Sequence, residues 1–108
     1  MASRSEIQYA VVAATAAGDN TLVAAVTGKR IRVHALFVVA SGGANSVRLE
    51  SGAGTLALTG VMDIVDNGQL VLPHNSAGWC QTAVAALLNL ELSAATPVGG
   101  LLVYSLIE

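Results

Sequence analysis

Turn signals recur at short intervals along this chain. They are Gly18-Asp19-Asn20, Gly28-Lys29, Ser41-Gly42-Gly43, Ser51-Gly52-Ala53-Gly54, Asp66-Asn67-Gly68, Pro73-His74-Asn75 and Thr96-Pro97. Regular punctuation of this kind is the mark of an all-β sandwich or barrel. The segments between the turns alternate in polarity. Leu88-Asn89-Leu90-Glu91-Leu92-Ser93 puts leucines on one face and polar groups on the other, and Val47-Arg48-Leu49-Glu50 repeats the pattern. Ile31-Arg32-Val33-His34 begins the same way and then gives way to the apolar run Ala35 to Ala40. Such a strand is expected to pass from an open face to one covered on both sides.

The pattern predicts strands at Ile7–Ala14, Thr21–Val26, Ile31–Ala40, Ser46–Glu50, Thr55–Leu58, Met62–Val65, Gln69–Leu72, Trp79–Thr82, Leu87–Ser93 and Gly99–Ile107. So many short strands in one domain-sized chain fit two packed antiparallel sheets, a jelly-roll-like β-sandwich over residues 7–108. Residues 82–88 are rich in Ala and Leu and also suit a helical turn by propensity. Met1 to Glu6 is polar and reads as a flexible N-terminal arm, without the apolar run of a signal peptide.

Composition adds a constraint on surroundings. Hydrophobic residues make up 54% of the 108 residues and charged ones 11%. A monomer of this mass exposes about 5,600 Å² by size scaling, leaving one charge per roughly 470 Å². Soluble designed surfaces carry far more, about 25–35% charged residues. The chain is therefore expected to bury part of its outside against copies of itself. The last strand points the same way. Leu101, Val103 and Ile107 share one face and Leu102, Tyr104 and Leu106 the other, and both faces are apolar. With one face in the core, the other is free for a neighbour, and Leu102, Tyr104 and Leu106 are the expected oligomer interface.

Other function classes find little support. The net charge is −2, and Lys29, Arg30 and Arg32 form the densest basic group. That is too few phosphate contacts for nucleic-acid binding. The longest apolar runs fall far short of the roughly 18 residues that span a bilayer, so no membrane partner is expected. Cys80 is the one cysteine, which excludes an intrachain disulfide and fits synthesis in a reducing compartment.

His74 and Cys80 suggest a base and nucleophile, but no orienting acid or oxyanion motif accompanies them. A turn histidine and a small buried thiol is the plainer reading. His34, His74, Cys80 and Asp63 lack metal-ligand spacing. Gly28-Lys29-Arg30 lacks the upstream glycine and the hydroxyl residue of a phosphate loop. Asp63 and Asp66 are too isolated for a calcium loop or a glycosidase pair. Trp79 reads as a core or interface residue before a sugar platform. No catalytic, cofactor or metal site is expected.

Several segments, in order, carry a resemblance. They are Gly28-Lys29-Arg30-Ile31-Arg32-Val33, Leu58-Thr59-Gly60-Val61-Met62, Asn67-Gly68 with Leu72-Pro73, and Gly78-Trp79. Leu88-Asn89-Leu90-Glu91-Leu92-Ser93-Ala94-Ala95 and Val98-Gly99-Gly100-Leu101-Leu102-Val103-Tyr104 complete the set. Together they resemble a family of small virion proteins of tailed bacteriophages, some of which are similar to capsid decoration or cement proteins. The resemblance implies a β-sandwich homotrimer, made in the host cytoplasm and bound on the capsid surface to the major capsid protein. It implies a structural role without enzymatic activity. It also implies a Gly-Glu turn before the Leu-Asn-Leu strand, where this chain has Ala85-Ala86. Arg4 and Glu6 on the arm are the expected shell contacts. The alternative is a carbohydrate- or receptor-binding module of a phage tail or fibre.

Overall fold

The computed structural model describes residues 6–54 and 56–108. Its strands are β1 (Gln8–Ala14), β2 (Gly18–Val23), β3 (Arg30–Ala40), β4 (Asn45–Ser51), β5 (Leu56–Ala57), β6 (Met62–Ile64), β7 (Gln69–Leu72), β8 (Cys80–Gln81), β9 (Leu88–Leu92) and β10 (Val98–Ile107). They form two antiparallel five-stranded sheets. The first has the order β1-β10-β3-β7, with β8 also on β3; the second has the order β2-β9-β4-β5, with β6 also on β4.

Successive strands repeatedly cross between the sheets, so most neighbours within a sheet lie far apart in sequence; β4 with β5 and β6 is the local exception. That interleaving is the strand order of a jelly roll, which pairs two Greek keys face to face. Each predicted strand has a counterpart; the arm residues 1–5 and Thr55 lie outside the described residues.

The core forms where alternating apolar residues of the two sheets meet. Leu88, Leu90 and Leu92 on β9 and Val47 and Leu49 on β4 face Val12, Ile31, Val33, Leu36, Val38 and Leu102 of the first sheet, all fully or almost fully buried. Burying one such side chain contributes about 1.5–3 kcal/mol. The accessible surface is 5640 Å², the value expected of a compact chain of this mass.

Three local expectations change. Gly18-Asp19-Asn20 is not a turn but the start of β2. Gly18 has a φ of 90°, which lets the chain reverse just ahead of it. The Asn20 amide donates to the Ala16 carbonyl at 2.9 Å and closes that bend. Residues 82–88 hold no helical turn: Val84 and Ala85 make a tight turn, with the Ala86 N–H donating to the Ala83 carbonyl at 3.2 Å. Ala85 sits there at a φ of 61°, a left-handed conformation that favours glycine.

The third change concerns β3. Val103 lies opposite Ala35 while Tyr104 lies opposite Val33, so His34 has no partner on β10. This β-bulge shifts the inward parity of the strand. Ile31 and Val33 point inward before it; Leu36, Val38 and Ala40 do so after it. Beyond the bulge the strands close up. A Cβ on Gly100 would lie 1.7 Å from the Phe37 carbonyl oxygen, so only glycine fits at that crossing.

Candidate interaction surface

The outer faces of the two sheets differ in kind. On the second sheet the outward residues are polar and joined. Arg48 donates from Nη2 to Glu50 at 2.6 Å and also to Glu91 on the neighbouring strand. Glu50 is 1% exposed, yet its other oxygen accepts from the Asn89 amide at 2.8 Å and from the Gly54 N–H at 3.0 Å. Burial opposes ionisation of Glu50. Donation from Asn89, the Arg48 guanidinium and the Gly54 amide outweighs it and holds the carboxyl at about 2. The same contacts raise the Arg48 guanidinium, with Glu50 the larger influence. Two shallow depressions on this side have volumes of about 130 and 340 Å³. The first falls short of an ordinary small-molecule site of about 300–1,000 Å³, and the second only reaches its lower end.

On the first sheet, beyond the bulge, the outward residues are apolar except for Gln69 and are partly or fully exposed. Strand register sets them in rows. Val11, Leu101, Phe37 and Val71 lie side by side across β1, β10, β3 and β7. Their exposures are 78%, 42%, 44% and 49%. Tyr9, Val103 and Ala35 form the row on one side, with Tyr9 exposed. Ala13, Gly99, Val39 and Gln69 form the row on the other. No charged residue stands in these three rows.

This arrangement corrects the sequence-based interface. Leu102 is 0% exposed and belongs to the core. Tyr104 and Leu106 are half-buried and pack against that core, and the Tyr104 hydroxyl donates to Gln8 Oε1 at 3.1 Å. The outward face of β10 is the Leu101 and Val103 face. The expectation for β3 is likewise reversed. Its apolar half, predicted to be covered on both sides, leaves Phe37 bare, while its polar half is roofed by the loop from Pro73 to Trp79.

That loop is tied to β3 by backbone bonds. The Asn75 N–H donates to the His34 carbonyl at 2.9 Å and the Trp79 N–H to the Val33 carbonyl at 2.8 Å. Beneath it the bulged His34 is 4% exposed and Ser105 is 1% exposed. His34 Nδ1 lies 2.9 Å from the Asn75 carbonyl oxygen. A carbonyl only accepts, so Nδ1 carries a proton, and in that tautomer Nε2 accepts from the Ser105 hydroxyl at 2.8 Å. His74 stacks on His34 with centroids 5.7 Å apart.

The pairing has the connectivity of a general base and a hydroxyl nucleophile. Its third member is a carbonyl rather than a carboxylate, and the hydroxyl is closed off from solvent. The pair therefore acts here as an internal tie holding the loop to the sheet. Sequence reasoning did not join His34 to Ser105, which lie 71 positions apart; only the bulge brings the ring over β10.

The remaining sequence-predicted residues stay apart. Among the described residues no hydrogen bond links His74 to Cys80, whose half-buried thiol is pushed up by burial. No group of three or more His, Cys, Asp or Glu among the described residues stands ready for a metal ion. Trp79 is 47% exposed and donates from Nε1 to the Pro73 carbonyl at 2.7 Å. Glu6 is exposed just ahead of β1, and Arg4 lies outside the described residues. No helix among the described residues is long and apolar enough to cross a membrane.

No protein-family model, no curated protein and no solved structure matches this chain.

Proposed function

We propose that this chain is a non-enzymatic structural subunit of a bacteriophage virion, a capsid decoration or cement protein. It acts as a homo-oligomer, a trimer by the resemblance, seated on the major capsid protein at the capsid surface. The observation that carries the reading is the bare apolar row Val11, Leu101, Phe37 and Val71, set against an outer face on the other sheet where charges are paired internally. A stiff sandwich with one face left apolar suits assembly better than turnover. The jelly-roll strand order supports the reading, being common in viral capsid domains, though it also serves lectins.

The mechanism is linkage. A protein that binds only the assembled, expanded shell stabilises that state by mass action. Arg4 and Glu6, on the arm before β1, supply charged contacts to the shell.

The test adds purified protein to undecorated expanded capsids of the phage that encodes it. Saturable binding, with a rise in the capsid's disruption temperature, is the expected result. Deleting residues 2–6 should weaken binding without changing oligomeric state. One observation favours a second reading, a receptor-binding module of a tail or fibre. Trp79 is exposed beside the Pro73-His74-Asn75 loop, as a sugar-stacking residue would be. Binding to host glycans, with none to capsids, would replace the first reading by the second.

A further inference from the structure

The outer face of the first sheet carries three uncharged rows, two spanning four strands and one spanning three, apolar except for Gln69 at the β7 edge, and its size and edges bear on what covers it. We propose that copies of this chain close these faces about a three-fold axis, as the walls of a triangular prism. The inference rests on the homo-oligomer in the reading above and adds the surface and geometry that build it.

Strands about 4.8 Å apart and alternate residues about 6.7 Å apart make the face about 19 Å wide and 20 Å tall. Its footprint of about 400 Å² matches the largest apolar patch of a typical monomer, a patch that is often functional, and is about half of what a standard interface takes from each partner. Two faces simply stacked would leave the shortfall open. Three-fold closure makes it up from the edges, because β1 of one copy then meets β7 of the next. Both edges are prepared for this: Tyr9 and Val11 on β1 are 70% and 78% exposed, and Val71 on β7 is 49% exposed.

The width also suits the closure. Three walls about 19 Å wide each stand about 5.5 Å from the axis, close to half the roughly 10 Å spacing of packed sheets. Leu101 and Phe37, in the middle of the row, then fill the centre. The face carries no charge, so closing it brings no like charges of the −2 chains into direct contact there.

Two measurements test this. Light scattering on the full chain at micromolar concentration should give three times the 10.9 kDa chain mass. Val11→Asp and Leu101→Asp should each give a monomer with an unchanged circular dichroism spectrum, while Val61→Asp, off this face, remains trimeric. Val11→Cys with Val71→Cys, in a Cys80→Ser background, should oxidise to covalent trimers. Within one chain those two positions are three strand spacings apart, beyond the reach of a disulfide, so each bond must join two chains. The cross-link keeps the test decisive should an aspartate variant fail to fold. A wild-type monomer or dimer, a trimeric Leu101→Asp, or the absence of cross-linked trimers overturns the proposal. A trimer that ignores capsids leaves this inference standing and removes the decoration reading instead.

Discussion

Ser105 donates its hydroxyl proton to His34 Nε2 across 2.8 Å, joining β10 to the bulge of β3 beneath the Pro73 to Trp79 loop. Both groups are cut off from water, so neither has an alternative partner in solvent. Ser105→Ala should destabilise the fold by about 1–3 kcal/mol, the penalty for a buried acceptor left unpaired. Denaturant titration measures it. Loss of Trp79 fluorescence in the native baseline would report the loop lifting from the sheet.

Gly100→Ala should be more damaging than its size suggests. The added methyl meets the Phe37 carbonyl oxygen and the Val38 Cα at 1.7 and 2.8 Å. Backbone is struck, so β3 and β10 must move apart, at about 1–3 kcal/mol or more. Gly99→Ala is the control, since its methyl would meet its nearest atom at 3.5 Å. A fall in melting temperature confined to Gly100→Ala is the expected outcome.

Glu50 gives the chain an acid sensitivity. Its folded-state pKa, about 2, lies below the ordinary 4.5. The stabilisation is complete above the ordinary value and is lost as pH falls from about 4.5 through about 2. Glu50→Gln should flatten the stability profile in that window. It should also lower stability at neutral pH by leaving Arg48 with Glu91 alone. Urea midpoints between pH 2 and pH 7 decide this.

Leu90→Ala should destabilise by about 2–5 kcal/mol, because its side chain fills the centre of the sandwich. Glu91→Ala removes a half-exposed partner of Arg48 and should cost under about 1 kcal/mol. Equal effects of the two changes would mean that the register of β9 is wrong.

Ala85→Gly should stabilise the chain by about 0.5–1 kcal/mol. Alanine holds a φ of 61° there and glycine adopts that conformation without the Cβ clash. A higher melting temperature with unchanged oligomeric mass is the result to look for.

The sequence by itself determined the sandwich, the number and approximate ends of its strands, and the leucines of β9 in the core. Those features are local: a turn residue ends a strand, and alternation of Leu with Asn and Glu names the buried side wherever the two faces differ in polarity. On β10 the faces do not differ. Leu102, Tyr104 and Leu106 are as apolar as Leu101 and Val103, so nothing along the strand says which set points inward. The tertiary structure decides it: Leu102 pairs with the inward Leu36 of β3 and is buried in the core. The bulge at His34 has the same character. One unmatched residue reverses the parity of β3, buries Leu36 and bares Phe37, and no periodicity within the strand announces it. The ionised Glu50 needed two strands, β4 and β9, and the Gly54 turn to assemble its partners. Local pattern fixes which residues alternate; only packing between distant strands fixes which side meets water.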